Sequence, residues 1–206
     1  MYMTRMRLNT EKYKTRMAFV NRNWFHGAIE NALGQSDDRK LWRLDQLNGE
    51  YYLMIVSKDI PDLSSATVEF GYPEDPSSWE TLEYDHLLSR IEKGSKWRFK
   101  LTANPIIKDG HTVYAHAGVN NQTKWLMDRT GKNGFSIDED TLKVYNSHWV
   151  SFRKRKENGR RVTILSVTFE GIMEVKDPEL VRNMLVSGLG KGKAYGQGMM
   201  TIMRAS

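Results

Sequence analysis

The sequence predicts an α+β protein whose two halves repeat one order of strands and helices. A strand-like alternation over residues 2–8 precedes an amphipathic helix at residues 24–34, and two further strand-like runs follow. Asn48 and Gly49 join these two runs with the dipeptide that a tight antiparallel hairpin favours. The resulting βαββαβ order is that of a ferredoxin-like (RRM-like) domain with an antiparallel sheet.

The first strand should bury one of its two sides. Its uncharged residues Thr4, Met6 and Leu8 alternate with Arg5 and Arg7, and successive side chains of a strand point to opposite faces. We therefore expect the uncharged side to face the core.

The helix that follows carries its apolar residues at the spacing of one helical face, and Gly34 ends it. These residues are Trp24, Phe25, Ala28, Ile29, Ala32 and Leu33. His26 lies about 110° from the centre of that face, so it should border the buried side without belonging to it. We expect a partly exposed imidazole.

A short helix near residues 62–66 and a strand at residues 67–71 complete the predicted first half. The stretch 71–85 then contains two of the five prolines together with acidic residues and serine, which is typical of a linker or a connecting loop. We therefore predict two tandem domains, at residues 1–90 and 91–206.

The second half repeats the element order, although no sequence repeat is visible between the halves. Its predicted strands span residues 96–105, 143–154, 162–175 and 198–203, and its predicted helices span residues 121–129 and 178–186. Asp177 should cap the last helix, with Pro178 at the first helical position and Gly188 just beyond the end.

The composition limits the possible functions. The net charge of +6 favours a polyanionic partner such as a nucleic acid. The absence of cysteine excludes disulfides, thiolate zinc sites and a cysteine nucleophile, and it suits a reducing cytoplasm. Because no stretch is apolar enough for a signal peptide or a membrane span, we expect a soluble cytoplasmic protein with no membrane partner.

The C-terminal stretch GLGKGKAYGQG is rich in glycine and follows a predicted helix. Glycine lets the backbone approach a phosphate, and exposed amides together with Lys191 and Lys193 would attract anions. The alternative is a helix cap followed by a tight structural turn. The glycines are Gly188, Gly190, Gly192, Gly196 and Gly198.

The stretch 152–161, FRKRKENGRR, places six basic residues around an Asn-Gly turn. On two paired strands they would form a positively charged hairpin that can follow a phosphate backbone. The alternative is a solvated hairpin tip without a partner. The basic residues are Arg153, Lys154, Arg155, Lys156, Arg160 and Arg161. Trp149 and Phe152 nearby could stack on a base or belong to the core.

His26 is the candidate for acid-base chemistry, because an imidazole exchanges protons near neutral pH. Taken alone, a histidine at the rim of a helix is more often an ordinary side chain than a catalytic one. The other histidines form no metal-binding pattern and the carboxylates are dispersed, so we expect no metal ion and no cofactor. Cleavage of RNA without metal needs a base for the 2′-hydroxyl, an acid for the leaving oxygen and a nearby cation.

Four separate segments resemble the CasE proteins of type I-E CRISPR systems, and the match spans nearly the whole chain. They are MYMTRMRL before the histidine-bearing helix, WRFKLTANPIIK, TFEGIMEVKDPELV and GLGKGKAYGQGMMTI. The pattern Gly-Leu-Gly, five residues, Gly-Gln-Gly also fits the glycine-rich loop of the wider superfamily of repeat-RNA endonucleases. In this context the purely structural turn is the less favoured interpretation of the loop.

The resemblance implies two ferredoxin-like domains and an endoribonuclease that needs no metal. Such a protein binds the CRISPR repeat stem-loop and cuts pre-crRNA at the 3′ base of the stem, leaving a 2′,3′-cyclic phosphate and a 5′-hydroxyl. It then stays on the mature crRNA with the other subunits of the type I-E surveillance complex. His26 matches the catalytic histidine. The RNA-binding residues implied are Arg22, the basic hairpin, Lys191, Lys193 and the glycine-rich loop.

One departure from the family pattern leaves the helper groups open. Some CasE proteins carry a tyrosine and a lysine where this chain has Asn23 and Asn31. Tyr13, Arg22 or the two lysines of the glycine-rich loop are candidates to replace them. Two alternatives therefore stand beside the enzyme: a non-catalytic RNA-binding subunit of the same fold, and a basic scaffold protein that meets nucleic acid only through charge.

Overall fold

The computed structural model describes residues 1–34, 40–109, 112–154 and 159–205. The helices in these ranges are α1 (Tyr13–Val20), α2 (Asn23–Leu33), α3 (Ser64–Phe70), α4 (Asp85–Leu88), α5 (Val119–Thr130) and α6 (Pro178–Ser187). The strands are β1 (Tyr2–Leu8), β2 (Leu41–Leu47), β3 (Glu50–Ser57), β4 (Trp79–Glu83), β5 (Lys96–Ala103), β6 (Ile106–Asp109), β7 (Thr112–Ala115), β8 (Phe135–Ile137), β9 (Lys143–Arg153), β10 (Arg161–Val175) and β11 (Met199–Arg204).

The described residues form two compact units, which are not two consecutive segments of the chain. The first comprises residues 1–85, 151–163 and 194–196, and the second comprises residues 86–150, 164–193 and 197–206. The basic hairpin and one turn of the glycine-rich ending therefore group with the first unit. The predicted division at residue 90 stays a prediction.

The first sheet has the strand order of a ferredoxin-like fold. Its order is β2-β3-β1-β4, and each neighbouring pair is antiparallel. The hairpin between β2 and β3 is confirmed, because Asn48 and Gly49 adopt φ of 52° and 85°, as a two-residue turn of this type requires. In β1 the predicted uncharged side is buried.

The fourth strand of this sheet does not lie where the sequence predicted it. Residues 67–71 belong mostly to α3, and β4 lies within the stretch interpreted as a linker, so both predictions are wrong. Ala66, Thr67 and Phe70 are buried on one side of α3, and Lys12 donates to the carbonyls of Thr67 and Val68 near its end. β4 has no buried residue, so no apolar alternation reveals it.

Several elements have no counterpart in the sequence prediction. They are α1, α4, β6, β7 and β8. In α1 only Thr15 and Ala18 are buried, and this short helix has almost no apolar face. Of the two neighbouring helices α1 and α2, the apolar pattern of the sequence therefore marks only α2.

The core of the first unit fixes the orientation of α2. Phe25 and Ile29 are fully buried. The ring of Phe25 lies 6.0 Å from that of Trp42 and 5.3 Å from that of Phe70, measured between centroids. With these two residues packed in the core, His26 lies on α2 between them and is only partly buried.

The second sheet repeats the ferredoxin-like order. It runs β11-β5-β10-β8, and β9 also pairs with β10. The predicted strands and helices of this half are confirmed to within a few residues. Asp177 caps α6 as predicted, since its carboxylate accepts the backbone N–H groups of Glu179 and Leu180. Across the ranges that the structure describes, none of the helices combines the length and apolar character needed to span a membrane.

Candidate active site

His26 lies on α2, next to the buried Phe25. Its side chain is 38% exposed, which agrees with the partly exposed imidazole expected from the helical pattern. The ring is therefore reachable from solvent while its helix is held by the core.

A carboxylate and an ammonium group stand beside the imidazole. One oxygen of Glu30, a helical turn further along α2, lies 3.9 Å from Nδ1 of His26. The other oxygen accepts a hydrogen bond of 2.8 Å from Nζ of Lys40, which also donates to the carbonyl of Gly34 at 2.9 Å. Glu30 is thus anchored between the ring and Lys40.

Partial burial lowers the pKa of His26 below its ordinary value, because it removes water from the charged form. The carboxylate of Glu30 acts in the opposite direction and raises the pKa, while the charge of Lys40 lowers it further. The lowered pKa favours the neutral imidazole, which is the form that can accept a proton.

We expect Glu30→Gln to lower the pKa of His26 further, because it removes the negative charge that stabilises the imidazolium. The charge of Lys40 remains and acts in the same direction. The measurement is an NMR titration of the histidine ring protons. Glu69→Gln is the matched control, since Glu69 pairs with Lys14 and not with the imidazole. An unchanged titration of His26 in Glu30→Gln would contradict the electrostatic role of this carboxylate.

A tyrosine from the glycine-rich ending also lies against the imidazole. The ring centroids of His26 and Tyr195 are 6.3 Å apart with an interplanar angle of 70°, which is an edge-to-face contact. Tyr195 packs in the same manner on Phe152, at 5.0 Å and 67°. Sequence reasoning missed Tyr195, and the available signal was an aromatic residue inside a glycine-rich loop. Phe152 belongs to the core, whereas Trp149 is 57% exposed.

The start of α2 is tied to the base of the basic hairpin. Nδ2 of Asn23 donates to the carbonyl of Arg153 at 3.0 Å and to Oδ1 of Asn21 at 2.9 Å. The amide of Asn23 therefore has a structural role at the position where some CasE proteins carry a tyrosine. Asn31, at the lysine position, is exposed on α2.

The basic hairpin continues from this anchor within the first unit. Its two strands are joined by a hydrogen bond from the N–H of Lys154 to the carbonyl of Arg160, at 3.0 Å. Nε of Arg161 donates to the hydroxyl of Ser151 at 2.7 Å. Arg153 and Arg160 are exposed, whereas the predicted binding residues Arg155 and Lys156 lie outside the described residues.

Arg22 immediately precedes α2 and lacks a counterion in the described ranges. Its Nε is fully enclosed and makes no hydrogen bond there. Burial lowers the pKa of the Arg22 guanidinium to about 10, so the group is still protonated at neutral pH. A cation that has been removed from water without a partner is a candidate to bind an anion.

Most of the glycine-rich ending belongs to the second unit and forms an ordered turn. The N–H of Leu189 donates to the carbonyl of Gly198 at 2.8 Å, and Nζ of Lys193 donates to the carbonyl of Gly190 at 2.9 Å. The backbone of Lys191 bridges to Asn104. All five glycines adopt φ between 75° and 92°. These glycines are Gly188, Gly190, Gly192, Gly196 and Gly198.

The predicted site residues thus divide between the two units. His26, Arg22 and the described part of the basic hairpin lie in the first unit, where Asn23 contacts the hairpin and Tyr195 contacts both His26 and Phe152. Lys191 and Lys193 lie in the second. Tyr13, a candidate helper, is 66% exposed on α1. No metal-binding group of three or more histidine or acidic side chains occurs among the residues with described positions.

Two ferredoxin-like sheets, a rim histidine and a glycine-rich C-terminal turn define the class of this protein. It is an α+β protein of ferredoxin-like units with a candidate acid-base site on the first. The family described as CRISPR associated protein matches residues 1–204, and the chain belongs to that family. The resemblance to CasE proteins is confirmed.

Individual relatives match over almost their whole length. The chain is 25% identical over 218 residues to the CRISPR-associated endoribonuclease Cse3 of Thermus thermophilus, covering 98% of this chain and 99% of that protein. It is similar to the solved structure of Thermus thermophilus Cse3 bound to an RNA representing a pre-cleavage complex, with a TM-score of 0.80, 22% identity and 98% of each chain covered. A chain of a CRISPR RNA-guided surveillance complex in a pre-nicking state is similar over 100% of both chains, with a TM-score of 0.71 and 18% identity.

Proposed function

We propose that this protein is a metal-independent endoribonuclease that binds a CRISPR repeat stem-loop and cuts pre-crRNA at the 3′ base of the stem. The observation that carries the proposal is the partly exposed imidazole of His26, whose pKa is lowered by burial and whose helix is linked through Asn23 to the basic hairpin. The Thermus thermophilus relative is named an endoribonuclease, and its solved structure holds RNA.

In the proposed mechanism His26 acts as the general base. It takes the proton of the ribose 2′-hydroxyl, and the 2′-oxygen then attacks the adjacent phosphorus. The bond from phosphorus to the 5′-oxygen breaks, the leaving oxygen takes a proton from water, and the imidazolium of His26 returns its proton to solvent. The products are a 2′,3′-cyclic phosphate and a 5′-hydroxyl. The guanidinium of Arg22 would stabilise the negative charge that develops on the phosphorane.

The basic residues supply the binding energy in this proposal. Arg153, Lys154, Arg160 and Arg161, with Arg155 and Lys156 of the same hairpin, would contact the phosphates of the stem. Lys191, Lys193 and those amides of the glycine-rich loop that are not used within the protein would contact the strand that is cut; the N–H groups of Gly188, Leu189 and Gly198 already donate to backbone carbonyls. Duplex RNA is recognised mainly through its shape and its backbone. A basic hairpin is therefore better suited to bind the phosphates of a stem than to read its base sequence.

After cutting, the protein would stay on the mature crRNA and join the other subunits of a surveillance complex. The similar chain in a CRISPR RNA-guided surveillance complex supports this step. The absence of cysteine suits the reducing cytoplasm, where we place the reaction.

A non-catalytic RNA-binding subunit is the second candidate function. The observation in its favour is Asn23, whose amide is used for a structural hydrogen bond where a helper tyrosine stands in some CasE proteins. In this alternative His26 contacts the RNA without exchanging a proton. A basic scaffold protein, the third alternative, would bind nucleic acid with a steep salt dependence and no preference for a hairpin.

Incubation with cognate repeat RNA in EDTA tests the proposal. We expect one cut at the base of the stem, with a 2′,3′-cyclic phosphate and a 5′-hydroxyl at the new ends. Loss of cutting in EDTA would reject the metal-free mechanism. Tight hairpin binding without any cut would favour the non-catalytic subunit, and binding of any RNA with equal affinity would favour the scaffold.

A further inference from the structure

Tyr195 lies between the candidate catalytic histidine and the core of the first unit. The centroid of its ring lies 6.3 Å from that of His26 and 5.0 Å from that of the buried Phe152, and both contacts are edge-to-face. Aromatic rings attract each other in this geometry at centroid distances of about 4.5 to 7 Å. The imidazole is thus in contact with a ring that itself rests on a fixed surface.

The backbone around Tyr195 is fixed by its neighbour Gly196. This glycine has φ of 77°, and a Cβ at position 196 would lie 2.8 Å from the indole of Trp42. Only glycine allows the chain to approach the indole so closely in this conformation. Because Trp42 is itself fully buried, the loop holds Tyr195 at a defined place.

Among the described residues, no hydrogen bond holds the ring of His26 in one orientation. The charged groups that act on it are Glu30 and Lys40, and the nearer oxygen of Glu30 is 3.9 Å away, beyond hydrogen-bond length. A charge at that distance sets the proton affinity of the imidazole but leaves its rotation free. The contact with Tyr195 therefore restricts the orientation of the ring.

We propose that Tyr195 is a positioning residue that orients the imidazole of His26 through the edge of its aromatic ring. The consequence for cutting rests on the proposed function, since it requires that His26 be the base. Misplacing a reacting group by about 1 Å can reduce a rate about 100-fold. The role belongs to the ring of Tyr195, not to its hydroxyl.

Two substitutions separate the ring from the hydroxyl. Tyr195→Phe keeps the ring and should cut like the wild type, whereas Tyr195→Leu keeps an apolar side chain on Phe152 and removes the ring. We expect Tyr195→Leu to slow single-turnover cleavage about 10- to 100-fold, with unchanged affinity for the hairpin. Tyr72→Leu is the matched control, because it removes another half-buried ring of the first unit, one that lies against Arg7.

An NMR titration gives a second readout that does not depend on cleavage. Loss of the ring should expose His26 to water, so the pKa of His26 should rise towards its ordinary value in Tyr195→Leu and stay unchanged in Tyr195→Phe and Tyr72→Leu. Equal melting temperatures of the variants establish that they are folded. Tyr195→Met replaces the leucine variant if that protein unfolds.

The outcomes distinguish this inference from the proposed function. If the wild type does not cut repeat RNA, the proposed function fails, and the titration still decides whether Tyr195 covers His26. If the wild type cuts and Tyr195→Leu cuts as fast, the positioning role is overturned while the enzyme stands. Equal losses in Tyr195→Phe and Tyr195→Leu would also overturn it, because the hydroxyl would then be the active part.

Discussion

Replacing His26 with alanine is expected to stop cleavage while the repeat hairpin still binds. A general base contributes about 10²- to 10⁴-fold to a rate, so single-turnover cutting should fall by that factor. Affinity should change little, because the basic hairpin carries most of the charge that binds RNA. Rates and equilibrium binding are measured on the same labelled hairpin.

His86→Ala is the control for this substitution, since His86 is exposed on α4 in the second unit. Unimpaired cutting by His26→Ala would reject His26 as the base. A loss of cutting that only parallels a loss of binding would instead assign His26 to RNA contact and not to proton transfer.

The pH dependence of the wild type should agree with this role. A base must be neutral to act, and burial lowers the pKa of His26. The rate should therefore rise with pH through that lowered pKa and then level off, and Glu30→Gln should move the rise to lower pH. A rate that falls over this range would mean that the protonated imidazole is the active form.

Replacing Arg22 with methionine is expected to weaken function without weakening the fold. In the absence of RNA, the guanidinium is largely buried and its Nε has no partner among the described residues, so its charge costs stability. Methionine keeps much of the apolar side chain and removes that cost. The melting temperature of Arg22→Met should therefore equal or exceed that of the wild type.

When RNA is bound, Arg22→Met should be unfavourable, because the guanidinium would then have a phosphate as its partner. A hydrogen bond to a charged group contributes about 1.5 to 3 kcal/mol, so we expect Arg22→Met to lower cleavage at subsaturating RNA about 10- to 100-fold. The loss of one phosphate contact should also reduce the slope of log affinity against log salt by about 1. Arg90→Met removes an exposed arginine of the second unit and controls for net charge. Lower stability with unchanged cleavage would contradict the assignment of Arg22 as a phosphate ligand.

The sequence by itself determined the elements whose signals are local. Alternation in β1, the Asn48-Gly49 turn and the cap formed by Asp177 each depend on a few neighbouring residues, and all three are confirmed. The same holds for the rim position of His26, which follows from the spacing of apolar residues along one helix. Periodicity and capping depend on interactions within one or two turns of the chain, so they can be predicted from the sequence without knowledge of the tertiary structure.

Only the tertiary structure decided the parts that depend on distant partners. β4 is a strand because it pairs with the edge of β1, although none of its own residues is buried. Tyr195 meets His26, and Asn23 meets Arg153, across long stretches of sequence. The lack of a counterion at Arg22 is likewise a property of everything packed around it. Such contacts arise from the packing of whole elements, and no pattern within a short window of sequence specifies them.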